Sequence, residues 1–112
     1  MPIENTTVTI NGGTTGDARC PRDKACPTHV VVPSGAAATS LSLYAKRPSG
    51  SYSSVYDLET NTALVSGVTI ASDRMYVLKP AVAAQLRGFD LQLVVNNAET
   101  AKDYVVGWSE YV

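Results

Sequence analysis

The sequence predicts an all-β protein, a two-sheet antiparallel sandwich of about eight strands with an irregular N-terminal arm. Three observations carry this. Fourteen valines, eleven threonines and six tyrosines suit a pleated, half-buried surface. Eight glycines and six prolines punctuate the chain at short intervals. Two segments, residues 39–46 and 89–95, alternate apolar and polar residues with period two, as a strand covering a core must.

Taken in order, residues 6–10 (TTVTI) form a first short strand. The stretch from Asn11 to Thr28 carries glycines and prolines and reads as a loop or extended arm. Residues 29–32 (HVVV) form a short apolar strand, stopped by Pro33-Ser34-Gly35. In residues 39–46, Leu41, Leu43 and Ala45 face one way and Ser40, Ser42, Tyr44 and Lys46 the other. Arg47-Pro48-Ser49-Gly50 is a tight turn, because proline presets φ and glycine accepts the positive φ that follows. Residues 51–58 return as the second arm of a hairpin, with Tyr52, Ser54, Tyr56 and Leu58 on one face. Residues 59–62 turn, and residues 63–70 and 74–79 are two more strands. Residues 80–88 form a short helical connector, with Pro80 in its first turn and Gly88 as its C-terminal cap. Residues 89–95 place Phe89, Leu91, Leu93 and Val95 inward, residues 96–102 form a polar loop, and residues 103–112 close the chain as a strand. The whole is one domain, residues 1–38 supplying a strand and arm and residues 39–112 the sandwich core.

Composition excludes several function classes. The 112 residues carry 9 basic and 10 acidic groups, a net charge of −1. Nucleic acid or an anionic membrane as main partner would call for a basic excess. No apolar run approaches the ~20 residues of a membrane span. The first ten residues, MPIENTTVTI, show no basic and then apolar pattern of a secretory leader. No glycine-rich phosphate loop, zinc-protease helix or nucleophile elbow is present, and no cofactor or catalytic residue is expected.

A few residues could still bear chemistry. Cys20 and Cys26 enclose PRDKA, so they could form a disulfide that stiffens the arm, or stay as free thiols. With His29, and Asp17 or Asp23 as a fourth, they are also a candidate metal set, although structural zinc sites use tighter cysteine pairs. Asp57 and Glu59 could share a strand face and bind calcium or do acid–base work, or simply solvate that face. Tyr44, Tyr52, Tyr56, Tyr76, Tyr104, Tyr111 and Trp108 could stack on sugar rings or pack in the core.

From Leu41 to Trp108 the chain resembles a β-sandwich (jelly-roll) module of tailed-phage virion proteins. The resemblance rests on Ser49-Gly50-Ser51-Tyr52, Val55-Tyr56-Asp57-Leu58, Arg74-Met75-Tyr76-Val77-Leu78-Lys79-Pro80, Leu86-Arg87-Gly88 and Phe89-Asp90-Leu91-Gln92-Leu93. It implies a non-enzymatic virion structural protein similar to capsid cement or decoration proteins. Such a protein is made in the host cytoplasm and sits on the capsid exterior, with the major capsid protein and its own copies as partners, as a homotrimer. Residues placed for partner contact are Thr14, Thr15 and Arg19 in the arm, together with Cys20 and Cys26, and Lys46, Arg47 and Tyr52 at the hairpin tip. Two alternatives stand beside it: a carbohydrate- or receptor-binding module of a tail or head fibre, and a tail or neck connector.

Overall fold

Alternating burial organises the chain into two antiparallel sheets. The computed structural model describes residues 4–46 and 50–110. One sheet contains β1 (Glu4–Ile10), β3 (Cys26–Val32), β9 (Arg74–Val77) and β11 (Lys102–Ser109), in the order β1-β11-β3-β9. The other contains β2 (Gly13–Ala18), β4 (Ser40–Lys46), β5 (Tyr52–Ser54) and β10 (Leu91–Glu99), in the order β2-β10-β4-β5. The short β8 (Val68–Thr69) shares the outer edge of β4 with β5. A two-residue pair, β6 (Tyr56–Asp57) with β7 (Thr62–Ala63), and one helix, α1 (Pro80–Gln85), complete the described elements.

The pairing has a simple logic. β1 pairs β11, β2 pairs β10, β3 pairs β9 and β4 pairs β5, all antiparallel. That is one long ribbon of four strand pairs, first with last and so inward. Rolling it up adds the β3–β11 and β4–β10 pairings and gives a jelly roll. The all-β sandwich expected from the sequence is therefore the observed fold, with eleven strands among the described residues in place of about eight.

The core lies between the sheets. Leu41, Leu43 and Ala45 of β4 and Leu91, Leu93 and Val95 of β10 meet Val30 and Val32 of β3 and Tyr104, Val106 and Trp108 of β11. Val8 and Ile10 of β1 pack over β2, where Gly16 is required: a Cβ there would lie 2.6 Å from Val8 Cγ1 and 2.9 Å from Ile10 Cγ1.

Several expectations are corrected. Residues 13–18 are not an arm; they pair with β10 as β2, with Gly16 and Ala18 inward. Too few apolar residues mark that strand, because its inward positions face Val8 and Ile10 at close range and must be small. β3 begins at Cys26, three residues earlier than expected. Residues 51–58 do return as a hairpin arm, but the strand ends at Ser54. The Asp57 carboxylate accepts the N–H groups of Glu59 and Thr60 at 2.8 and 3.3 Å, bends the chain, and leaves Leu58 96% exposed. Residues 63–70 contribute only β7 and β8. Phe89 lies before β10 and is exposed, while Leu91, Leu93 and Val95 are buried as expected. The Arg47 turn lies outside the described residues.

The polar segment 96–102 is not a loop either, since β10 runs on to Glu99 and β11 starts at Lys102. Its side chains hold the crossover that carries the chain from β3 to β4. Glu99, 1% exposed, accepts the N–H groups of Ala37 (2.8 Å) and Ala38 (3.2 Å) and the hydroxyl of Tyr104 (2.5 Å). Asn96 accepts the N–H groups of Thr39 and Ser40, and Asn97 donates to the Ala37 carbonyl. Burial pushes the Glu99 carboxyl up, but these donors and nearby Lys102 outweigh it and hold it below the ordinary carboxylate value. Burial, and then the Glu99 carboxylate, push the Tyr104 phenol well above its usual value.

A group held below its ordinary pKa contributes stability that is present above the unfolded pKa and lost as pH falls through the folded one. Glu99→Ala should therefore lower the unfolding free energy at neutral pH by about 3 kcal/mol, because the buried donors of Ala38 and Tyr104 and the part-buried N–H of Ala37 lose their acceptor. In urea titrations the wild-type chain should lose stability below about pH 4.3, and the variant should lose less over the same range.

Candidate functional site

The end of the sandwich opposite Glu99 carries a cleft of about 450 Å³, lined by Arg19, Cys20, Arg22, Asp23, Lys46, Gly88, Phe89 and Asp90. Four separate segments meet there: the end of β2, the loop of residues 21–25, the end of β4 and the turn between α1 and β10.

Asp90 ties these segments together. Its carboxylate accepts the Cys20 N–H at 2.8 Å and its carbonyl accepts the Lys46 N–H at 3.0 Å. Gly88 makes the close approach of the 21–25 loop possible. Its φ is 78°, its N–H donates to the Ala25 carbonyl at 2.9 Å, and a Cβ would lie 2.5 Å from the Asp23 carbonyl oxygen. Arg87 adds a bond to the Lys24 carbonyl at 3.2 Å. Within the loop, Arg22 is ion-paired with Glu4 and with Glu110, the latter at 3.2 Å.

Arg19 and Lys46 are exposed and have no salt-bridge partner among the described residues. Tyr52 stands opposite Lys46 in the β4–β5 pairing. Burial pushes its phenol up, Asp17 and Asp90 push the same way, and Arg19 pulls it down. Tyr52 itself does not line the cleft but adjoins it through Lys46, and the exposed Phe89 lies on the cleft wall.

Of the residues selected from the sequence, Arg19, Cys20 and Lys46 line the cleft, and Tyr52 stands beside Lys46 without lining it. Thr14 and Thr15 are exposed further along β2 and do not line the cleft. Arg47 lies outside the described residues. The cysteines are free, so the disulfide considered at Cys20 and Cys26 is not formed. Cys26 is buried in β3 opposite Ser109, while the Cys20 thiol donates to the Arg22 carbonyl at 2.9 Å. Nor do Cys20, Cys26 and His29 assemble a metal site; among the described residues no three such ligands gather. His29 lies over Gly107, where a Cβ would be 1.9 Å from its Cε1, and its Nδ1 is 3.1 Å from the Thr28 hydroxyl. Trp108, 1% exposed, and Tyr104, 0% exposed, belong to the core and are not available to a sugar; the Trp108 indole N–H donates to the Thr6 hydroxyl.

Sequence reasoning missed Arg22, Phe89 and Asp90 as members of this cleft. The only local signal was the cap glycine directly before Phe89-Asp90, a position where the chain must turn sharply between helix and strand.

Chemically, the cleft is suited to recognition. Burial pushes the Cys20 thiol up, and Asp90 and Asp23 act in the same direction, so the sulfur keeps its proton and is a poor nucleophile at neutral pH. Arg19 and Lys46, two cations with no salt-bridge partner among the described residues, beside the exposed Phe89 ring suit a carboxylate-bearing partner. No family model, curated protein or solved structure matches this chain.

Gly88→Ala should cost about 2 kcal/mol, through a left-handed backbone and a collision with the Asp23 carbonyl. The displaced loop should also uncover Cys20, read as faster labelling by a thiol reagent than in the wild-type chain.

Proposed function

We propose that the chain is a structural protein of a phage virion, of the cement or decoration kind, which works by adhesion and catalyses nothing. It sits on the capsid exterior and binds the major capsid protein, bridging neighbouring coat subunits alongside further copies of itself. The observation that carries this reading is the meeting of Arg19 and Lys46, from strands distant in sequence, beside Tyr52 and Phe89 on one end of a rigid sandwich. Groups anchored at strand ends present a fixed pattern to a partner, and the ordering cost of binding stays low. The jelly-roll pairing supports it as well, being the architecture that the sequence resemblance implies.

A second reading, a carbohydrate- or receptor-binding module, is favoured by one specific feature. Lys46 has Tyr52 opposite it in the β4–β5 pairing and shares the cleft lining with Phe89, so two aromatic side chains adjoin the charged groups, as at a sugar-binding platform. Trp108 takes no part in it.

Particles depleted of the protein should rebind it in a pelleting assay, and binding should weaken as salt rises from about 50 to 300 mM. The double substitution Arg19→Glu with Lys46→Glu should weaken binding at least about tenfold while leaving the circular dichroism spectrum unchanged. Binding that survives both charge reversals contradicts the reading. Capture of a glycan, lost on Tyr52→Ala or Phe89→Ala and without particle binding, would move the assignment to the second reading.

A further inference from the structure

We propose that β9 is a self-association edge, at which two copies of this chain pair antiparallel about a two-fold axis through Tyr76. β9 ends its sheet and pairs only with β3. The Leu78 N–H donates to the Thr28 carbonyl. By the alternation of an antiparallel ladder, Tyr76 and Val30 form the next bonded pair, and the main-chain groups of Met75 and Val77 point to the open edge. Their side chains are 59% and 72% exposed, and neither carries a charge. Along the outer face, Met75 continues an apolar row through Val31 of β3 and Val105 of β11. Arg74 is the one charged residue of β9, and about a two-fold axis at Tyr76 it stands opposite the other copy's Leu78, clear of the Met75 and Val77 main-chain groups; an exposed edge strand of this kind is a template for another strand.

Just inside this edge the two sheets part. An apolar groove of about 320 Å³ opens there, lined among others by Leu64, Val65, Val68, Val77 and Leu78. A second strand laid along β9 would extend the sheet across the mouth of the groove.

The occupant is a second copy because the edge is its own complement. With Tyr76 on the axis, Met75 stands opposite the other copy's Val77 and exchanges both main-chain hydrogen bonds with it. Asp73 directly precedes the strand and Lys79 follows it, so the same two-fold axis brings each toward the opposite charge of the other copy, and the two approaches recur by symmetry. Both residues are exposed. Lys79 has no salt-bridge partner among the described residues, and Asp73 is engaged through one carboxylate oxygen, by the Ser34 hydroxyl at 2.6 Å. This two-fold contact differs from the three-fold assembly that the resemblance implies, and it lies apart from the cleft.

Sedimentation equilibrium on the full chain tests it. The wild-type chain should be a dimer, and Val77→Lys, at an exposed position, should be a folded monomer. Met75→Pro removes an outward N–H without touching the β3 ladder and should do the same. Lys79→Asp brings like charges toward each other twice per dimer and should weaken it about tenfold. In hydrogen exchange, the Met75 and Val77 amides should be protected in the wild-type chain and open in the Val77→Lys variant. A wild-type monomer at high concentration, or a dimer or trimer indifferent to these substitutions, overturns the proposal.

Discussion

The β10–β11 hairpin ties the two sheets together, and each of its strands is hydrogen-bonded along both edges. β10 lies between β2 and β4, and β11 between β1 and β3. The hairpin therefore belongs to both sheets, and its inward residues must fill the space between them. Leu91, Leu93 and Val95 do so from one sheet, and Tyr104, Val106 and Trp108 from the other. At the crossing between the sheets sits the buried Glu99, whose acceptors fix the crossover from β3 to β4. A buried carboxylate is tolerated there because each of its bonds replaces one lost to water.

The same hairpin positions the other end of the molecule. Asp90 immediately precedes β10 and reaches back to the main chain of Cys20 and Lys46. The cleft is thus built at a strand end that the core holds still, and Gly88 allows the 21–25 loop to close over it. Structure and proposed function connect at this point. A chain whose polar ends are fixed by its core can offer the same charged and aromatic pattern in every copy, which adhesion over a large repeating surface needs. The open edge at β9 would add contacts between copies without using the cleft.

Much of the fold was legible where apolar residues alternate. Residues 39–46 and 89–95 mark β4 and the first half of β10, and Pro80 with Gly88 bound the helical connector. β2 was hidden because its inward positions, Gly16 and Ala18, are small, so it shows no alternation of large apolar residues. The far half of β10 was hidden because Asn96, Asn97 and Glu99 serve as acceptors and donors to a distant crossover, which composition alone reads as a loop. In the candidate site, Arg19, Lys46 and Tyr52 were identifiable singly as strand-end or turn residues. Their meeting was not, since it depends on β2 joining the same sheet as β4. Asp90 was invisible for a related reason: its role lies in bonds to main-chain groups 44 and 70 positions away. The cysteine spacing permitted a disulfide, but Cys26 is taken into β3 while Cys20 turns to the carbonyls of its own loop.

The central claim is that this jelly roll is an adhesive component of a particle surface. The most direct measurement is its copy number and position in purified virions, by quantitative mass spectrometry and an image reconstruction of the particle. The account predicts copies over the whole head exterior, in number close to that of the coat lattice positions, with the Arg19 and Lys46 end against the coat. Absence from the particle, or about six or twelve copies confined to a neck or tail ring, would contradict it.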